Sequence, residues 1–221
     1  MSAGSRLTIG IHFDLICPWC FIGKRQLTVA RERFIQMLPD VAVDSVWHSV
    51  QLLPDVPAQG LPFPEFYERR LGSAEAVRRR AQQVMVAARN VDLDLDLTAI
   101  ERMPNTARAH RLLGQVAGSC EPDLHEALLE RLFVAYFQRG EDIGDAATLR
   151  VLAADVGVPA HVVDAAQDDS RVVPTASNLE GVPNFDFNGR LSLSGARDAA
   201  ILLMAMRKAM QMAAAVGRNT A

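Results

Sequence analysis

Leu7-Thr-Ile-Gly-Ile-His-Phe-Asp-Leu-Ile16, followed at once by Cys17-Pro-Trp-Cys20, is the stretch that decides the reading of this chain. The first ten residues are β-rich and loosely alternating, which predicts a central strand. The tetrad then opens an amphipathic helix. A disulfide needs its two Cα atoms within roughly 7 Å, and the first turn of a helix brings residues three apart to about that separation. Only a thiolate attacks, and the unpaired N–H groups and positive dipole end of a helix favour negative charge there. Cys17 falls at the cap and Cys20 one turn inside, so Cys17, exposed enough to attack, is the expected nucleophile and Cys20 the more buried, resolving thiol. Pro18 at the first helical position sacrifices no hydrogen bond, because that N–H has no helical partner anyway.

Other uses of two such cysteines are weaker. A structural zinc site needs two more soft ligands. Cys120 is the one cysteine left, and the five histidines show no ligand spacing. A purely structural disulfide is disfavoured in an intracellular chain. Inert burial of both thiols conflicts with the cap position.

Composition sets the outer bounds. The chain has 221 residues, 49% hydrophobic and 22% charged, which fits one large globular domain or two interleaved ones. A net charge of −3 gives no electrostatic reason to expect nucleic acid or an anionic membrane as partner. The N-terminal residues lack a basic stretch followed by an apolar run, so no secretory signal is visible. No segment reaches the ~20 apolar residues of a membrane span. The expected location is cytoplasmic.

Further along, a helix is predicted over 18–38, stopped by Pro39-Asp40, and a valine-rich strand over 41–53. Strand, helix and strand make the first half of a thioredoxin fold. Pro54 to Pro64 reads as a linker. Helical patterns then fill the chain to about 169, with two helices over 64–89 broken near Gly72-Ser73. Others cover 106–117 with Asn105 as N-cap, 122–139 ending at Gly140, and 145–156 capped by Asp145. A short one starts at Pro159. Two short strands return around Asn188-Gly189, a hairpin signal because both residues tolerate φ > 0. A last helix covers 197–216. The fold class is therefore α/β, a thioredoxin-like βαβ…ββα domain (1–54 and 181–221) interrupted by a large all-helical insertion (55–180).

Several motifs together carry a family resemblance. Phe13-Asp14 precedes the Cys tetrad, and Phe21-Ile-Gly-Lys-Arg25 follows it. Asn105-Thr106 stands with Ala109-His110-Arg111-Leu112, and Arg131-Leu-Phe with Ala135-Tyr136-Phe137. Gly140 to Gly144, Gly181-Val-Pro183, Asn188-Gly189 and Ser194-Gly195 complete the set. The chain resembles the DsbA-like thioredoxin family, and within it the FrnE-like thiol-disulfide oxidoreductases, over nearly its whole length. The resemblance implies that Pro183 is a cis-proline facing the cysteines, where the backbone of Val182 would pair with a bound polypeptide. Pro18 and Trp19 join Val182 and Pro183 as implied substrate contacts. From residues alone, an ordinary trans proline opening a strand is the commoner case. The stretch from Asp168 to Glu180 is shorter and less helical than the family's usual connection, and 171–178 reads as loop. The additional cysteine pair of some FrnE-like proteins has no counterpart.

Among supporting residues, Asp14 could accept the resolving cysteine's proton, although hydrogen bonding to loop amides is the favoured reading. His110 could face the dithiol and help stabilise a thiolate, and a structural role is equally open. His12 is expected to be a packed strand residue, Cys120 a bystander at a helix start, and Trp19 exposed between the thiols. Met204, Met206, Met210 and Met212 on the last helix are expected chiefly to fill core.

The expected function is thiol-disulfide exchange with protein or low-molecular-weight thiols and disulfides, glutathione among them, through the Cys17–Cys20 disulfide and without a metal or other cofactor. A second reading is a glutathione-dependent isomerase of small organic molecules. Related hydroxychromene carboxylate isomerases share the scaffold but carry serine where Cys17 stands. A third is a binding protein whose thiols hold metal or report redox state.

Overall fold

The computed structural model describes residues 6–175 and 179–219, with side chains to 215. The chain forms two compact units. One comprises Met1–Phe13, Trp19–His48 and Ala176–Ala221, the other Asp14–Pro18 and Ser49–Thr175. The sequence places its boundaries after 54 and after 180. Among the described residues no helix is long and apolar enough to cross a membrane.

The first unit is built on a four-stranded sheet of order β2-β1-β5-β6, with β1 at Arg6–Phe13, β2 at Ala42–Ser49, β5 at Asn184–Phe187 and β6 at Leu191–Ser194. The pairs β1–β5 and β5–β6 are antiparallel. Alternation along β1 turns Leu7, Ile9 and Ile11 to one face, where they bury against Leu27, Ala30 and Phe34 of helix α1 (Pro18–Met37). Ala199, Leu202, Ala205, Met206 and Ala209 of α8 (Ala199–Asn219) complete that core. Each large apolar side chain so buried contributes roughly 1.5–3 kcal/mol. On α8 the methionines divide. Met206 is buried and Met210 packs at the core edge, whereas Met204 and Met212 are exposed.

The hairpin turns at Asn188 and Gly189, both at positive φ (58° and 65°). The Asn188 side chain accepts the Thr8 amide at 2.8 Å, tying turn to β1. On the sheet's other face His12 is half-buried and stacks on His48 with ring centroids 4.7 Å apart. Burial, then the neighbouring His48, lowers the His12 pKa, and Asp186 opposes them.

The second unit is helical: α2 (Phe63–Leu71), α3 (Ala74–Arg89), α4 (Ala107–Ser119), α5 (Pro122–Arg139), α6 (Ala146–Asp155) and α7 (Ala160–Asp168). Ser73 and Asp145 cap their helices by accepting the Ala76 and Thr148 amides. At α4 the N-cap is Thr106, one residue later than expected, while the Asn105 side chain still supplies the acceptor, for Ala107 N at 3.0 Å. Gly140 ends α5 at φ 65°, and a Cβ there would fall 2.1 Å from the Ala99 carbonyl oxygen. Only glycine fits.

Three expectations are corrected. The first strand stops at Phe13 instead of Ile16, because Asp14 to Cys17 form a turn closed by Cys17 N–H donating to Asp14 O at 3.1 Å. The second strand ends at Ser49, after which Gln51 forms only an isolated bridge to Thr175. A two-stranded sheet of β3 (Leu61–Pro62) and β4 (Arg102–Met103) lies in the stretch read as linker and helix, too short to carry a period-2 signal. Of the predicted loop 171–178, residues 171–175 are non-helical, and 176–178 lie outside the described residues.

Candidate active site

The turn after β1 delivers Cys17 directly ahead of Pro18, the first residue of α1, and Cys20 falls one turn inside. Both are buried. Cys17 is 7% exposed and Cys20 1%. Cys17, expected to be exposed at the cap, is instead buried, though less completely than Cys20. Pro18 and Trp19 are half-buried. Trp19 is therefore less open than the sequence suggests.

One turn past Cys20 stands Gly23. A Cβ on it would come within 2.9 Å of Pro183 Cγ and 3.2 Å of Phe185 Cζ. The absent side chain is what lets α1 approach the Val182–Pro183 turn this closely. That peptide bond is cis. Pro183 O accepts Gly195 N–H at 2.7 Å, and the Asn184 side chain bonds Ser194 and Ser192 at 2.8 and 3.0 Å. The turn is therefore held from the far strand of its hairpin.

Around Asp14 and Cys17 the second unit supplies polar neighbours. The Asp14 side chain is fully buried. One oxygen accepts Leu52 N–H at 2.8 Å and the other lies 2.9 Å from His110 Nε2. Facing a carboxylate, which only accepts, Nε2 carries the proton and donates. The loop-amide reading of Asp14 holds, and the hydrogen bond from His110 adds to it. Asn105 fixes the start of α4 by accepting from Gln51 Nε2 at 2.8 Å and donating to Val56 O at 2.5 Å, which places His110 one turn further on.

Two phenols to which the sequence reading gave no site role belong to the same neighbourhood. Burial pushes the Tyr67 pKa up, and Cys17 close by pushes it further, against Arg70 and Arg80. Burial likewise holds Tyr136 well above its ordinary value, with Tyr67 and Asp14 adding to it. Both stay neutral. The signal for Tyr67 was the aromatic run Phe63-Pro-Glu-Phe66-Tyr67, in which the Tyr67 ring meets Phe63 tilted at 4.7 Å and Phe66 edge-on at 5.4 Å.

Cys120 caps the C-terminus of α4 instead of opening a helix. A groove of about 560 Å³ on the first unit, lined by Arg6, Thr8, His48, Asp186 and Arg190 among others, includes none of the thiol residues. Among the described residues, no group of three or more His, Cys, Asp or Glu is placed to hold a metal ion.

Set beside known proteins, residues 8–207 match the model of the DSBA-like thioredoxin domain. A probable DsbA oxidoreductase of Streptomyces coelicolor superposes with a TM-score of 0.79 at 25% identity, over 92% of this chain and 89% of that one. The cytosolic disulfide reductase DsbM of Pseudomonas aeruginosa, solved with GSH, gives 0.58 at 15% identity over 96% and 99%. A 2-hydroxychromene-2-carboxylate isomerase gives 0.63 at 13% identity over 95% and 98%. The last two share the fold. No curated protein matches the chain in sequence.

Proposed function

The chain belongs to the family of DSBA-like thioredoxin domains, and from that premise we propose that it exchanges disulfides through Cys17 and Cys20. The Cys17 thiolate attacks a substrate disulfide. A bond forms between Cys17 Sγ and one substrate sulfur, the substrate S–S bond breaks, and the other sulfur leaves as a thiolate that takes up a proton. Cys20 then loses its proton and attacks Cys17 Sγ, which releases the second substrate thiol and leaves the Cys17–Cys20 disulfide. Two electrons have passed to the substrate. Run backwards, the same steps oxidise a dithiol.

The observation that carries this reading is the placement of two cysteines at one helix start, Cys17 7% exposed and Cys20 1%, the order of burial expected of an attacking and a resolving thiol. Pro18, Trp19 and the Val182–Pro183 turn are the proposed substrate contacts, the backbone of Val182 pairing with an extended chain. Protein disulfides and low-molecular-weight thiols such as glutathione are the partners to test. The cytoplasm is the proposed compartment.

Dithiothreitol-driven insulin reduction tests the proposal. The wild-type protein is expected to be active, Cys17→Ser inactive, and Cys20→Ser to accumulate mixed disulfides whose masses identify the partner. Activity that persists in Cys17→Ser ends the reading. Glutathione bound without any thiol exchange points instead to isomerase chemistry.

A further inference from the structure

Alternation along β1 sends Leu7, Ile9 and Ile11 into the core, so Arg6, Thr8, Gly10 and His12 lie on the opposite face of the sheet. Cross-strand partners share a face, which sets Asp186 of β5 beside Gly10. His48 of β2 reaches Gly10 from the other side. A Cβ on Gly10 would stand 3.2 Å from His48 Nε2 and 3.6 Å from Asp186 Cβ. The bare position thus forms a trough between imidazole and carboxylate. It is part of the groove of about 560 Å³ on this unit, a volume within the range of small-molecule sites. Two cations stand at one end of the trough. Arg6 opens β1, and Arg190 follows the hairpin turn that Asn188 ties to Thr8, its N–H donating to Thr8 O at 2.9 Å. We propose that this groove binds a small phosphate monoester, its phosphate held by Arg6 and Arg190 and its organic part laid over Gly10 against His48. None of the thiol residues lines it, so the site is independent of the disulfide-exchange reading.

The chemistry of the lining selects the ligand. Among the described residues, Asp186 is the one acid lining the groove, against two arginines. Asp186 already accepts Gly189 N–H at 2.6 Å, and Asn188 gives its side-chain oxygen to Thr8 N–H. What these leave is mostly donors: the two guanidiniums, the Asn188 amide NH2 and the Thr8 hydroxyl. Arg190 meets Met212 O at a long 3.4 Å. Arg6 pairs with Asp44 at the rim, but with side chains 65% and 42% exposed this pair is one that water screens and a ligand can outcompete. A guanidinium fork takes oxyanion oxygens two at a time. Two forks at one end, one of them shared with Asp44, call for more charge and more oxygens than a carboxylate offers. A phosphate monoester supplies both, with a charge of about −2 and three terminal oxygens.

Titration calorimetry of the whole protein with phenyl phosphate at low salt tests the proposal. Saturable one-to-one binding is expected, and phenol, which lacks the phosphate, should give none. Arg190→Gln should weaken binding about tenfold, the loss of a charge-assisted contact. Asp44→Asn should do the reverse and tighten it, because Arg6 is then released to the ligand. A damaged fold cannot mimic that gain. Gly10→Val fills the trough and is expected to weaken phenyl phosphate more than inorganic phosphate, which needs only the arginine end. Absence of saturable binding, equal binding of phenol, or an affinity that Arg190→Gln and Asp44→Asn both leave unchanged overturns the proposal.

Discussion

Gly23 does its work by lacking a side chain. An alanine methyl would meet the Pro183 ring at 2.9 Å, and overfilling a tight contact costs roughly 1–3 kcal/mol. Against this, alanine gains about 1 kcal/mol over glycine inside a helix. Gly114 in α4 has nothing within 4 Å of its would-be Cβ and isolates that gain. Gly114→Ala is therefore expected to raise Tm and Gly23→Ala to lower it, by a few degrees each. Movement of both in the same direction would show that the helix and the turn part freely. The Cys tetrad was readable from sequence because its spacing is local, whereas the cis bond at Val182–Pro183 followed only from the family resemblance. The bond between Asp14 and His110 was not readable, since no pattern within a window joins positions 14 and 110.

Helix caps carry the next scale. Asp145 opens α6 by accepting Thr148 N and Oγ1 at 2.7 and 2.9 Å, and these bonds hold its pKa below the ordinary carboxylate value. The folded chain thus prefers the ionised form more than the unfolded chain does. The stabilisation is complete above the unfolded value, about pH 4, and disappears as pH falls through the lower folded one. Asp145→Ala should cost about 1 kcal/mol at neutral pH, measured by urea titration. The difference from wild type should vanish in strong acid, and a gap that persists there would rule out the carboxylate as its source. Helices with such caps were predicted to within a residue or two, as the helix read over 145–156 shows against the observed Ala146–Asp155. The strand ends at Phe13 and Ser49 were not, because tertiary bonds of Asp14 and Gln51 decide where pairing stops.

Across the whole molecule, the order of elements followed from the alternation of period-2 and period-3.6 segments, so the interrupted α/β plan was visible before any coordinates. The aromatic residues are sorted by unit. Trp19 and Trp47 belong to the sheet-bearing unit, Tyr67 and Tyr136 to the helical one. Tryptophan fluorescence and tyrosine near-ultraviolet dichroism therefore report the units separately. The contact at Gly23 also reaches beyond this protein. It acts as a spacing gauge: any chain keeping the same helix-to-turn distance must leave that position bare, one turn beyond its second cysteine. A glycine there, with a later Val-Pro dipeptide, should sort relatives of this architecture from unrelated dithiol proteins better than the cysteine spacing does.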